Sequence, residues 1–220
     1  MVQLVSQNVV NVASAASISS GAIAVQAGDL ITMAWRRGDA GGTENGQTDT
    51  DSNPWTQINV IDNPATGAVT GAAYAFASVT DASLVCTLNL TANSPGGLFL
   101  NTSVWRATVG YILHLDQFSN GYGTNATPSA GLLTPNGPGF AYSAFGTNAS
   151  AGVTTPGTGW TALSNNGNQL YDEYRLTVGA SPITGNMSFT NSPVWSGIVF
   201  DFIEALKMIP ENPSCVYVLP

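Results

Sequence analysis

The chain has 220 residues, of which 44% are hydrophobic and 8% charged, and its net charge is −8. That length and apolar content support a buried core and exclude disorder of the charged, apolar-poor kind. The few bases (Arg36, Arg37, Arg106, Arg175 and Lys207) are scattered and form no stripe to neutralise phosphates, which excludes nucleic acid; no run of about 20 apolar residues exists for membrane insertion.

The opening MVQLVSQNVV has no basic n-region, unbroken apolar h-region or cleavage site, so no secretory signal is expected. Residues 1–28 carry no charge and mix short apolar runs with Ser and Ala. They are read as an extended arm over residues 1–24 that enters a first strand near 22–25. Runs rich in β-branched and aromatic residues then alternate with Gly, Pro, Asn and Asp clusters, the punctuation of an all-β domain over residues 25–206. Strands are predicted at 29–37, 55–61, 69–79, 83–90, 98–109, 111–118, 139–146, 159–165, 169–178, 185–191 and 194–205. The polar segments 38–53 and 119–130 are predicted loops.

Period-two alternation is clear in DEYRLTV, where Tyr174, Leu176 and Val178 share a face. It recurs in GIVFDFIEAL, where Ile198, Phe200 and Phe202 oppose Asp201. Such a pattern predicts antiparallel sheets with one wet face. The Pro-rich segment 207–220, KMIPENPSCVYVLP, is read as a second arm. The fold class expected is all-β: a two-sheet antiparallel sandwich, jelly-roll-like, with extended N- and C-terminal arms.

The order GDLITMAWRRGD, NPWTQI, AAYAFASVTDAS, VWRATV, GFAYSAFG, DEYRLTVGASPITGNMSFT and WSGIVFDFIEAL spans roughly residues 25–205. It resembles a recurrent β-sandwich module of phage structural proteins, decoration and capsid-associated, and of bacterial surface proteins. The resemblance implies adhesive, decorating or carbohydrate-facing roles, and it brings no active-site residues with it.

Candidate sites are few. Asp39, Glu44, Asp49 and Asp51 lie in one loop without a base, and Asp49, Asp51 and Asn53 have the alternate spacing that sets oxygen ligands around Ca²⁺. Pro54 stands where a calcium loop of the EF-hand type has glycine, so a solvated acidic loop is the competing reading. No other cofactor is expected. His114 and Asp116 share a strand face and could serve as acid and base, although no nucleophile motif accompanies them. Adjacent Asp172 and Glu173 point to opposite faces, as do Asp201 and Glu204, whereas Asp116 and Asp172 could meet across strands. Trp55, Trp105, Trp160, Trp195, Tyr122, Tyr171 and Tyr174 are available for core packing or for stacking on sugars. Cys86 reads as a small core residue, and a bridge to Cys215 stays open.

The reading that follows is a non-enzymatic structural protein, a virion (phage capsid) decoration or surface component. It would self-associate through its sandwich and arms, contact other capsid or surface proteins, and reside on a virion surface or outside the cell. The alternative is a carbohydrate-binding, adhesive module whose partners are glycans. A hydrolase using Asp116, Asp172 or Asp201 is the third.

Overall fold

The computed structural model describes residues 1–38, 42–63, 67–164 and 169–207. Its first part contains β1 (Gln3–Val12), β2 (Ser17–Ser19), β3 (Ile23–Val25), β4 (Leu30–Arg37), β5 (Glu44–Asp49), β6 (Thr56–Asp62), β7 (Val69–Phe76), β8 (Asp81–Leu84), β9 (Cys86–Leu90) and β10 (Leu98–Arg106). The second contains β11 (Tyr111–Thr124), β12 (Ser129–Leu133), β13 (Pro138–Thr147), β14 (Thr154–Pro156), β15 (Thr161–Ser164), β16 (Leu170–Val178), β17 (Ile183–Phe189) and β18 (Val194–Leu206). All pairings are antiparallel and the sheets pack face to face, so the all-β sandwich architecture holds.

The two parts have one topology. The first builds a five-stranded sheet in the order β1-β10-β4-β7-β6 and the second builds β11-β18-β13-β16-β15. Each reads first, last, middle, then a hairpin. Each is faced by a three-stranded sheet, β2-β9-β5 or β12-β17-β14, with β3-β8 prolonging the first of these. First-beside-last pairing with an inner Greek-key return is the jelly-roll plan, and here it occurs twice.

Register makes the halves comparable residue by residue. Thr56 pairs with Tyr74, and Thr161 pairs with Tyr174. Each threonine follows a tryptophan, Trp55 or Trp160, and each strand slips register two residues later, at Ile58 and Leu163. The first strand of each half also bulges against the last, at Val5 and at Asp116.

The two five-stranded sheets pack against each other. Strand β4 lies over β13, β10 over β16 and β7 over β18, while β6 sits over β11. At the opposite side Gln7 of β1 donates to the Leu163 carbonyl of β15. Reciprocal contacts mark an approximate two-fold axis along β4 and β13: Trp105 packs edge-on to Tyr174 at 5.4 Å, and Phe202 packs edge-on to Tyr74 at 5.1 Å. The central core between these sheets contains Leu30, Ala34, Trp105, Phe140, Tyr142, Ile198, Phe200 and Phe202. Two outer cores fill the individual sandwiches, one around Trp35, Leu88 and Leu100, the other around Phe145, Tyr171 and Trp195.

Four layers change the burial expected from alternation. Strand β4 is buried at every position, and Asp201, read as facing water, lies between two sheets. Within the first five-stranded sheet Gly71 makes room for its cross-strand partner Trp35: a Cβ there would fall 2.3 Å from the indole. Residues 3–12, read as part of an arm, form the edge strand β1, which pairs along β10 and packs Leu4 against the central core and Val10 and Val12 against the outer one. The polar segments expected as loops hold β5, the end of β11 and the start of β12. Their polar residues suit strands at a sheet edge with a wet face. Residues 208–220 of the expected C-terminal arm lie outside the described residues.

Candidate functional site

The repeat supplies an internal control. Where the first jelly roll has Val5, Met33, Ala72, Ala73 and Val104, the second has Asp116, Ser143, Asp172, Glu173 and Asp201 at matching register positions. The same fold therefore closes with apolar side chains at all five places. A buried carboxylate costs several kcal/mol unless it is paired or protonated, so this cluster is not demanded by packing.

Asp201 and Glu173 project from the second five-stranded sheet into its own sandwich, and neither has solvent exposure. Asp201 Oδ1 accepts the Gln117 backbone N–H at 3.0 Å, while its Oδ2 is buried without an N–H donor. The bulge at Asp116 brings that side chain next to Asp201, close enough for the two carboxyls to act on each other's charge. Asp116 also accepts the Asn136 side-chain amide at 2.7 Å, its backbone N–H at 2.9 Å, and Gln117 Nε2 at 3.3 Å. Burial works against the Asp116 charge, yet these donors hold its carboxyl below the usual range. Burial first, then the Asp116 charge, pushes Asp201 up to about 7.

Glu173 pairs across the strands with Ser143. Its Oε2 accepts the Gly157 N–H at 2.9 Å, and the Asn186 backbone donates to the same carboxyl. Burial nevertheless raises it to about 8. The neighbouring Asp172 faces the other way, into the central core, where Asn101 Nδ2 donates to it. Burial, then the charge of Asp172, lifts the Tyr142 hydroxyl well above its ordinary value.

The residues singled out by sequence fall as follows. Asp49 Oδ1 accepts the backbone N–H groups of Asp51 and Asn53, and its Oδ2 accepts the Trp55 indole at 2.8 Å. Asn53 Oδ1 accepts the Ser78 N–H. These oxygens organise a turn in a structure that, among the described residues, has no group of three His, Cys, Asp or Glu arranged for a metal. Of the three residues read as calcium ligands, Asp49 and Asn53 thus accept N–H groups in an Asx-type turn, while Asp51 Oδ2 is buried without a hydrogen-bond partner. Asp39 lies outside the described residues.

His114 is exposed, and Asp116 turns away from it to Asp201. Asp116 and Asp172 do not meet: they lie on opposite faces of one sheet, three strands apart. Asp172 and Glu173 do point to opposite faces. Trp105, Trp160, Trp195 and Tyr171 are core residues, and Trp55 and Tyr174 are half-buried. Only Tyr122 of that set is exposed, at 55%; Phe118, two face-repeats away on β11, is exposed at 48%. Cys86 is buried, which pushes its thiol up to about 12, and Cys215 lies outside the described residues.

Both jelly rolls leave their first strand at a sheet edge, β1 on one side of the molecule and β11 on the other. Among the described residues no further strand pairs with either outer edge. No family model, curated protein or solved structure matches this chain.

Proposed function

We propose that the chain is a non-enzymatic structural protein, a virion (phage capsid) decoration or surface component that self-associates through the edges of its sandwiches. The observation that carries this reading is the pair of long edge strands. β1 runs ten residues without charge or proline, and β11 runs fourteen with one acid and one histidine. Natural sheet edges are commonly blunted by lysine or proline; an unblunted edge offers its N–H and C=O groups to a strand of another chain. Complete burial of Asp172, Glu173 and Asp201 argues in the same direction, because a polysaccharide hydrolase needs its carboxyls against substrate. The jelly-roll plan is shared by capsid and lectin domains, which is support by analogy alone.

Sedimentation velocity over a concentration series tests the reading. The wild-type chain is expected to associate. A variant with lysine on each edge, Asn11→Lys with Asn120→Lys, is expected to stay monomeric with unchanged thermal stability. A wild-type chain that is monomeric at every concentration, and does not bind its own particle, overturns it.

A second reading, a carbohydrate-binding surface, is favoured by Phe118 and Tyr122. They share the face of β11 that overhangs β6, with Asn120 between them, and are about 13 Å apart along the strand. Ring faces flanking an amide suit a neutral sugar chain.

A further inference from the structure

We propose that Asp116 and Asp201 share one proton, and that this proton latches the edge strand β11 onto β18. The proposal rests on the association reading above and assigns that edge a control. Four observations carry it. The two residues face each other where β11 bulges against β18, between the pairs Leu115–Phe202 and Gln117–Asp201. Asp116 is held ionised by three donor contacts from Asn136 and Gln117. Asp201 Oδ2 is fully enclosed and has no hydrogen-bond partner, and the adjacent Asp116 charge favours an O–H there over a second charge. The first jelly roll makes the same bulge with Val5 and Val104, so the fold requires neither carboxyl.

Protonated, Asp201 donates its O–H to Asp116 and ties the bulge to its neighbour. When that proton leaves for solvent, two carboxylates are left facing each other in a poorly hydrated place, and repulsion acts directly across the β11–β18 ladder. The same movement pulls on Gln117, whose backbone N–H binds Asp201 and whose side chain clasps Thr134. Few other charges reach the pair. Arg175 lies in the same cross-strand row two strands away, His114 precedes the bulge at the surface, and β12 and residues 134–136 contain no titratable group. Asp201 titrates near neutrality, where such a latch is useful.

Amide exchange of residues 111–124, corrected for intrinsic rates, should be compared at pH 5.5 and 8.5 in the wild type, Asp201→Asn, and the double variant Asp116→Val with Asp201→Val. Wild-type protection is expected to fall about tenfold or more at the higher pH, one pH unit of differential ionisation being tenfold. Asp201→Asn keeps a donor to Asp116 and, like the divaline variant copied from the first jelly roll, is expected to keep only the smaller fall that Glu173 imposes on all three proteins. Equal pH dependence in the wild type and either variant overturns the latch. Sedimentation at the same two pH values separates the ideas. A latch that opens while the chain stays monomeric throughout rejects the association reading alone, and association without a change in β11 protection rejects the latch alone.

Discussion

Glu173 gives the most direct handle on why the second jelly roll carries buried acids. Its carboxyl rises from an ordinary 4.5 to about 8 through burial, so the folded chain keeps it protonated at pH 7 while the unfolded chain ionises it. The sign follows from linkage. The stability associated with the bound proton is fully present below 4.5 and is lost as pH rises through about 8. Between pH 5 and pH 8 the loss amounts to about 3 kcal/mol, taking 1.36 kcal/mol per pH unit. Glu173→Gln removes the ionisation and keeps an amide oxygen for the Gly157 N–H. Urea unfolding at several pH values should therefore show the variant matching the wild type near pH 5 and exceeding it by about 3 kcal/mol at pH 8. Asp201 adds a slope of the same sign to both proteins and cancels in the comparison. Parallel pH profiles for the two proteins, or an ionised Glu173 carboxyl in the folded state at pH 7 by carbon NMR, would refute the reasoning.

Two further outcomes are expected. The first half alone, residues 1–106, exposes Leu30, Ala34, Ala72 and Trp105 on a face built to meet a similar face, and should form a dimer by native mass spectrometry; a stable monomer would contradict the two-fold packing. If the glycan reading holds, Phe118→Ala with Tyr122→Ala abolishes retention on a glycan array without altering thermal stability, whereas an array with no wild-type hits removes that reading.

Most of the large strands were legible because period-two alternation and Gly/Pro punctuation survive in this sequence, as in β4, β16 and β18. Apart from β1, whose pattern is interrupted by the bulge at Val5, the missed strands are short or polar. Strand β5 reads ENGQTD and β14 reads TTP, and neither buries enough apolar surface to show a pattern. The repeat itself left a faint trace. Trp55-Thr56 recurs as Trp160-Thr161, and Thr91-Ala92-Asn93-Ser94-Pro95 returns, one residue shorter, as Thr190-Asn191-Ser192-Pro193. Drifting offsets between the copies hide this from inspection at a fixed period. Missing it had a consequence for the site: with one sandwich in mind, Asp201 reads as wet, and only the second layer of packing shows it to be enclosed. Pairing of Asp116 with Asp201 was unreadable for another reason. Strict alternation directs Asp116 to the side of His114, and a single bulge reverses it.

The axis between the two jelly rolls is only approximate, and that imperfection gives the molecule a direction. A true dimer of identical halves would present two identical flanks, and its copies could join only in ways that respect that sameness. This chain carries an uncharged flank at β1 and an aromatic, acid-bearing flank at β11, facing opposite ways. Unlike ends can meet head to tail, and such a contact closes into a ring or continues as a fibre according to the rotation between successive copies. If copies associate through these edges as proposed, two like domains with unlike flanks make a unit whose two ends are distinguishable.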